Sequence, residues 1–156
     1  MKMAKTLADR LTRSRKTLAI AESCTGGLIG HTLTNIPGAT AWFKGGVIAY
    51  ANQAKIDMLE VPAAMIARNG AVSAPTARAM AQGARRRFHS DLALATTGIA
   101  GPTGGTPGKP VGLVFIAMAT AKGTRVKKHI FKGSRLNFKK QALNAALSML
   151  LSNKHD

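Results

Sequence analysis

The sequence has 156 residues, of which one is a cysteine, Cys24, and six are Asp or Glu. A single cysteine excludes an intramolecular disulfide and a cysteine-rich zinc site. No apolar run approaches the ~20 residues that a membrane-spanning helix needs. The basic N-terminal segment also lacks the apolar stretch and cleavage site of a signal peptide. We therefore expect a cytoplasmic protein with no membrane partner.

Metal ligands are scarce as well. The four histidines are scattered along the chain: His31, His89, His129 and His155. None has the paired spacing typical of zinc ligands, and we expect neither a metal nor a cofactor. Asp57 and Glu60 are three residues apart, but they are expected on an exposed helix surface rather than as paired catalytic carboxylates. A Ser–His–Asp triad assembled in space stays open, although no histidine follows an evident strand end.

The scarcity of acids leaves 23 Lys and Arg unbalanced, so the net charge is +17. Such a charge favours anionic partners, either nucleic acid or phosphorylated metabolites. Residues 122–140 alone contain eight Lys or Arg and no acid. Aromatic residues make up 4% and no nucleic-acid-binding motif is present, so base stacking is not expected. We interpret most of the charge as solvated surface, and a nucleic-acid partner stays open on charge alone.

Hydrophobic residues make up 46%, a globular composition that fits one domain over residues 1–156. Strands are predicted at 17–22, 46–50, 91–96, 111–120 and 125–131. Helices are predicted at 2–14, 28–33, 52–59, 62–70, 73–88 and 137–151, with Asn52 and Ser73 as N-caps. Strands that alternate with helices indicate an α/β layered fold, and the turn at 121–124 predicts an antiparallel hairpin near the end.

The most informative segment is Ala21–Gly27 (AESCTGG), which follows the first predicted strand. Ser23 lies just before a predicted helix, where free backbone N–H groups and the helix dipole favour negative charge. This geometry suits a serine nucleophile whose oxyanion is stabilised by those N–H groups. It suits a bound phosphate equally well, and a plain helix cap with closely packed glycines also fits. The segment alone leaves these three interpretations open.

A second candidate is the loop at 98–108, which is rich in Gly and Pro and follows the third predicted strand. Ligands of α/β sheets bind at the C-terminal ends of strands. The loop is not a Walker A motif, because no Gly-Lys-Ser/Thr ending is present, and it leads into a strand rather than a dinucleotide-binding helix. Structureless loops of about 12 residues are more often functional than inert, so we expect a binding loop here.

A third candidate is the segment from Tyr50 to Lys55. Tyr50 ends the second predicted strand, and Lys55 falls in the first turn of the next helix, where a cation is unfavourable. Such a lysine can have a lowered pKa and act as a neutral base. Most lysines are solvated, however, and spacing alone does not single out Lys55.

Several long motifs occur in order along the chain: 21–28 (AESCTGGL), 45–50 (GGVIAY) followed by Asn52 and Lys55, 80–88 (MAQGARRRF), 97–102 (TGIAGP) and 104–112 (GGTPGKPVG). Together they resemble the CinA C-terminal domain family, over about residues 7–150. This family includes the stand-alone nicotinamide mononucleotide deamidases. The resemblance implies a three-layer α/β/α sandwich with a mixed, mostly parallel five-stranded sheet.

The resemblance also implies an activity, hydrolysis of the carboxamide of nicotinamide mononucleotide to nicotinic acid mononucleotide and ammonia. It implies a homo-oligomer that uses no metal and no cofactor. By motif position, Ser23 is the nucleophile, Lys55 its general base, and Tyr50 lies beside them to orient or share the proton. The expected substrate-binding residues are Cys24, Thr25, Gly26, Gly27, Thr97, Gly98, Gly101 and Arg135, with Arg135 meeting the phosphate.

Two other functions remain open at this point, a basic nucleic-acid-binding protein and a catalytically silent ligand-binding domain. The chain also departs from the pattern of the family it resembles at four positions, which touch helix starts and the phosphate end more than Ser23 or Lys55. The family often has a polar residue at 51, Glu at 74, Asp at 134 and Arg near 139, where this chain has Ala51, Ala74, Ser134 and Lys139.

Overall fold

The computed structural model describes residues 2–153, which form alternating helices and strands. The strands are β1 (Leu18–Glu22), β2 (Phe43–Ile48), β3 (Leu92–Gly98), β4 (Leu113–Thr120) and β5 (Gly123–Ile130). The helices are α1 (Lys2–Ser14), α2 (Leu28–Thr34), α3 (Asn52–Leu59), α4 (Ala63–Asn69), α5 (Ala74–Arg87) and α6 (Arg135–Leu151). None of these helices is long and apolar enough to cross a membrane.

The strands form one mixed sheet in the order β2-β1-β3-β4-β5. β1 pairs in parallel with both β2 and β3, whereas β4 pairs antiparallel with β3 and with β5. Four of the five strands therefore run in the same direction and β4 runs against them. The predicted α/β fold, its mixed sheet and its C-terminal hairpin are confirmed.

Helices cover both faces of the sheet, and the two faces are built from side chains of different size. One face carries small residues that pack against α5, including Ala19, Ala93 and Ala117. The opposite face carries large residues that pack with α1 and α6, including Leu18, Leu94 and Ile116. Because successive side chains of a strand point to opposite faces and both faces are covered, β1 and β3 are apolar up to their C-terminal ends, which carry Glu22, Thr96 and Thr97. Every residue of β1 is buried for this reason.

Several predicted boundaries were wrong, and the starts of β2 and α6 differ for local reasons. β2 begins at Phe43 rather than Gly46, because two glycines inside the strand, Gly45 and Gly46, resemble a turn. α6 begins at Arg135 rather than Asn137, because Ser134 is its N-cap and accepts from the Asn137 N–H.

The predicted cap at Asn52 was also wrong, whereas the one at Ser73 is confirmed. Asn52 is the first residue of α3, and the N-cap position is occupied by Ala51, which has no side-chain acceptor. Ser73 caps α5 and accepts a hydrogen bond from the Thr76 N–H at 3.3 Å.

Candidate active site

Parallel strands bring three of the candidate segments to one edge of the sheet. Glu22, the last residue of β1, lies opposite Thr96 of β3 and Ile48 of β2. Ser23 follows directly and its N–H donates to the Thr96 carbonyl at 3.0 Å. The residues that leave β1, β2 and β3 therefore meet at the C-terminal edge, the usual ligand-binding edge of an α/β sheet.

Lys55 reaches this edge from the first turn of α3. Its Nζ lies 3.0 Å from Ser23 Oγ, 2.9 Å from the Ala49 carbonyl oxygen and 3.0 Å from the Tyr50 carbonyl oxygen. Both residues are almost completely buried: Lys55 is 1% exposed and Ser23 is 8% exposed. α3 begins at Asn52, two residues after Tyr50, so the same chain segment supplies both the lysine and two of its acceptors.

Burial lowers the pKa of Lys55 from its ordinary value of 10.5, because the charged ammonium loses its water. A smaller electrostatic interaction with Cys24 acts in the opposite direction. The sequence suggested that neighbouring cations would contribute, but burial is the cause that lowers the pKa here. The nearest polar partners are neutral oxygens, so no carboxylate holds Lys55 in its charged form.

All three partners of Lys55 Nζ can accept a hydrogen bond: an ammonium donates to all of them, whereas a neutral amine donates to two and turns its lone pair to the third. An uncharged –NH₂ has two N–H donors and one lone pair, whereas a carbonyl oxygen can only accept. The carbonyls of Ala49 and Tyr50 therefore take both N–H groups. The lone pair is left facing Ser23 Oγ, whose O–H can donate to it. In this arrangement the hydroxyl proton of Ser23 lies between its Oγ and the nitrogen of Lys55.

Cys24 lies next to Ser23 but is a poor nucleophile. Burial raises the pKa of its thiol to about 12, so the reactive thiolate is absent at neutral pH. A nearby hydroxyl group, that of Thr96, acts in the opposite direction with a smaller effect. The hydroxyl of Ser23 is therefore the better placed of the two neighbouring nucleophiles.

Glu22 has a role that the sequence analysis missed. Its carboxylate is 1% exposed and accepts from the N–H groups of Gly27 at 3.0 Å, Ile29 at 3.1 Å and Gly30 at 2.8 Å. These N–H groups belong to the start of α2, which the sequence analysis expected to be free for an anion. A carboxylate two positions before a turn that opens a helix was the available signal, because acids stabilise helix N-termini.

Other backbone groups near Ser23 remain available. Gly26 donates its N–H to the Ser23 carbonyl at 3.1 Å. Within residues 2–153, the N–H groups of Cys24 and Thr25 make no hydrogen bond to another residue. These two groups directly follow Ser23 in the chain, so they are candidate donors for an anion beside its Oγ.

A pocket of about 260 Å³ opens over the Ser23–Lys55 pair. Eight of the predicted site residues line it: Ser23, Cys24, Tyr50, Lys55, Thr97, Gly98, Gly101 and Arg135. The other three lie outside it. Thr25 is fully buried and its hydroxyl pairs with that of Thr96 at 2.9 Å, Gly26 is exposed, and Gly27 is the N-cap of α2 held by Glu22.

Arg135 forms the rim of the pocket together with Tyr50. Its guanidinium donates to the Gly101 carbonyl at 2.8 Å and to the Tyr50 hydroxyl. Tyr50 thus contacts the Ser23–Lys55 pair through its main-chain carbonyl, while its half-exposed ring and hydroxyl face Arg135. An arginine held by neutral oxygens keeps its charge available to an anion at the mouth of the pocket.

The glycines of the 98–108 loop are required by close packing. A Cβ on Gly98 would lie 2.6 Å from the Leu113 carbonyl oxygen, and one on Gly101 would lie 2.3 Å from Val111 Cγ1. Gly101 also has φ +76°, a conformation that residues with a Cβ rarely adopt. These glycines let the loop fold back over β4 and form one wall of the pocket.

The loop expected to bind, 98–108, also contributes Ile99, Ala100, Thr103 and Gly104 to the lining. The lining residues that the sequence analysis did not name as site residues are Asn52, Ala71 and Val72. Ala71 and Val72 precede α5 and have no chemical signature that marks them. Their position is fixed by Thr97, whose hydroxyl donates to the Ala71 carbonyl at 2.8 Å. Within the described residues no three His, Cys, Asp or Glu side chains are grouped to hold a metal, and His155 lies outside those residues.

The fold and site define an α/β protein that presents a buried serine–lysine pair at the C-terminal edge of its sheet. A model of the CinA C-terminal domain matches residues 1–154. The chain belongs to the CinA C-terminal domain family. The "CinA-like protein" of Syntrophus aciditrophicus is 51% identical over 145 residues, which are 92% of this chain and 34% of that relative. That of Gemmatimonas aurantiaca is 52% identical over 134 residues, 86% of this chain and 31% of the relative.

The chain thus spans about a third of the length of these curated relatives. Solved structures match it more completely. The competence/damage inducible protein CihA of Agrobacterium tumefaciens has a TM-score of 0.92 and 40% identity, covering 97% of this chain and 93% of its own. The competence damage-inducible protein A of Klebsiella pneumoniae has a TM-score of 0.95 and 30% identity, covering 99% and 96%. These likenesses agree with the three-layer architecture described above.

The Glu22 carboxylate should be a major stabiliser of the segment that carries Ser23. In Glu22→Gln, one oxygen becomes an NH₂ group that faces an N–H donor, so at least one charge-assisted hydrogen bond is lost. We expect the free energy of unfolding to fall by about 2 kcal/mol, measured by urea denaturation. Glu60→Gln, which changes an exposed acid, is the matched control. Equal stability of Glu22→Gln and wild type would contradict the capping role.

Proposed function

We propose that this chain is a serine amidohydrolase that converts nicotinamide mononucleotide to nicotinic acid mononucleotide and ammonia. The observation that carries the proposal is the 3.0 Å contact between Lys55 Nζ and Ser23 Oγ, with both other positions of the amine filled by carbonyls. Membership of the CinA C-terminal domain family supports the choice of substrate, through the resemblance to the nicotinamide mononucleotide deamidases.

In the first half of the reaction, Ser23 Oγ attacks the carboxamide carbon while its proton moves to the neutral amine of Lys55. The carbonyl oxygen becomes an oxyanion, which the N–H groups of Cys24 and Thr25 are placed to receive. The Lys55 ammonium then returns the proton to the departing nitrogen, and ammonia leaves. Ser23 now carries the nicotinoyl group as an ester, and Lys55 is neutral again.

In the second half, Lys55 takes a proton from a water molecule that attacks the ester carbon. The bond to Ser23 Oγ breaks, and the proton passes from the lysine to the serine oxygen. Nicotinic acid mononucleotide is released and the starting pair is restored. One side chain thus acts as base and acid in each half, which requires that it gain and lose its proton readily.

The phosphate of the substrate is expected at the pocket mouth, beside Arg135. The guanidinium is held by Gly101 and Tyr50 and has no acidic partner in the described chain. A planar arginine fixed by neutral oxygens can bind a phosphate through two N–H groups. The reactive carboxamide then lies deeper in the pocket, next to Ser23.

Removal of the nucleophile should abolish turnover while the fold persists. We expect Ser23→Ala to reduce kcat for ammonia release from nicotinamide mononucleotide by roughly 10⁴-fold or more. Product binding, measured by calorimetry, should survive because the pocket is intact. Ser152→Ala, at the exposed end of α6, is the matched control.

Two outcomes would contradict the assignment. Turnover that persists in Ser23→Ala and disappears in Cys24→Ala would make the neighbouring thiol the nucleophile. Binding of nicotinamide mononucleotide by the wild type with no ammonia release would instead identify a catalytically silent ligand-binding domain.

The pH dependence should report the buried lysine. Lys55 must be uncharged to act as a base, so kcat/KM should rise as pH increases through its pKa and be lost as pH falls below it. Because burial lowers that pKa, the midpoint of the rising limb is expected below 10.5. The rate profile of wild type is compared with that of Lys44→Met, which removes an exposed lysine from β2. A rate that falls with rising pH, or that survives in Lys55→Met, would exclude this base.

Arg135 should act on affinity more than on chemistry. Arg135→Gln removes a charge-assisted contact worth about 1.5–3 kcal/mol, so KM for nicotinamide mononucleotide should rise by about 10- to 150-fold. Nicotinamide riboside, which lacks the phosphate, should be turned over equally by wild type and variant. Arg68→Gln, exposed on α4, is the control. An equal loss for both substrates would contradict binding of the phosphate by Arg135.

A further inference from the structure

The tip of the β4–β5 hairpin, residues 120–124, lies between two hollows at the edge of the sheet. The hollow toward α5 has a volume of about 460 Å³ and is lined in part by Arg85 and Arg86. The hollow toward α6 has a volume of about 350 Å³ and is lined in part by Arg125. Thr120 and residues 122–124 line both, so the two hollows form one continuous surface around the tip.

Basic side chains converge on this tip from distant parts of the sequence. We define the basic hairpin surface by its five members: Arg78, Arg85, Arg86, Lys122 and Arg125. Arg78 is included because its guanidinium donates to the Thr124 carbonyl. Three members come from α5, one from the turn and one from β5, so the surface exists only in the folded protein.

Three of the four arginines of this surface, Arg78, Arg85 and Arg125, donate to neutral oxygens. Arg85 Nε donates to the Asp91 main-chain carbonyl at 3.1 Å, and Arg125 donates to Asn153 Oδ1 at 3.0 Å. Arg86 has an acidic partner, Glu60, at 3.2 Å. Hydrogen bonds to neutral groups fix the direction of a guanidinium without cancelling its charge. Arg78, Arg85 and Arg125 are therefore ordered, and none of the three has an acidic partner among residues 2–153.

We propose that the basic hairpin surface binds the phosphate backbone of a nucleic acid. Five cations on both sides of a hairpin are more than the single phosphate group of a mononucleotide requires. A nucleic-acid duplex offers one negative charge per ~1.7 Å of its axis, which matches a spread of cations. Among residues 2–153 no aromatic side chain lines either hollow, so binding should depend on phosphate rather than on stacked bases or sequence.

The basic hairpin surface is separated from the pocket by the length of the sheet. Gly98, which lines the pocket, pairs with Val114, whereas the hairpin tip begins at Thr120. Six residues of strand correspond to about 20 Å. Changes at the surface should therefore leave the Ser23–Lys55 pair undisturbed.

The proposal is tested by fluorescence anisotropy with labelled DNA duplexes of about 25 base pairs in two unrelated sequences, across roughly 50–200 mM salt. Both sequences should bind alike. The logarithm of the affinity should fall against the logarithm of salt with a slope of about −4 to −5 for five neutralised phosphates. In Arg85→Gln/Arg125→Gln the slope should become shallower by about two.

The matched control is Lys2→Gln/Lys5→Gln, which removes the same charge from exposed positions on α1 that line neither hollow. It should keep the wild-type slope, and all three proteins should melt within a few degrees of one another. No binding at the lowest salt would overturn the proposal. Equal loss in both double variants would also overturn it, because net charge and not this surface would be responsible. Binding to anionic phospholipid vesicles without binding to DNA would assign the surface to membranes instead.

Discussion

The burial of one lysine without a carboxylate partner is the constraint on which the candidate site depends. A buried ammonium is costly, and proteins usually compensate it with an acid, which would hold the proton in place. Here the chain places Lys55 against two carbonyl oxygens and one hydroxyl. This set of partners satisfies an uncharged amine completely and leaves its lone pair on Ser23. The same contacts that make the burial tolerable are thus the ones that the proposed role of Lys55 as a base requires.

The scarcity of acids is part of the same arrangement. Among the buried side chains of the described residues, Glu22 is the acidic one, and it lies one position before the serine. Its two oxygens accept from three N–H groups of the α2 start and so are directed away from the amine. A carboxylate turned toward Lys55 would raise the lysine pKa and stop it from accepting a proton. Helix capping by Glu22 therefore stabilises the serine turn and leaves Lys55 without an acidic partner.

The sequence predicts the fold more fully than the site, and particular residues show why. Runs of apolar residues predict the strands, because a strand that is buried on both faces, such as β1, consists mostly of apolar residues. The importance of Lys55 rests on a contact with a residue 32 positions away, so spacing alone does not distinguish it from a solvated lysine. The N-cap of α3 is Ala51, whose side chain cannot accept a hydrogen bond, so the prediction of the neighbouring Asn52 as the cap was wrong. The basic hairpin surface joins three separate elements, which no local charge count reveals.

The orientation of the strands puts the pocket and the basic hairpin surface at opposite edges of the sheet. Parallel pairing of β1 with its neighbours directs their C-terminal ends, and hence the pocket, to one edge of the molecule. β4 runs in the opposite direction and leads the chain to the opposite edge of the sheet, where the arginines of the basic hairpin surface lie. The net charge of +17 attracts any anion and so speeds encounter, but it does not select among substrates. Selection must then come from groups fixed at the pocket mouth, of which Arg135 is the ordered cation. A polyanion at the hairpin and a small phosphate at the pocket can be bound together, because neither end shares a residue with the other.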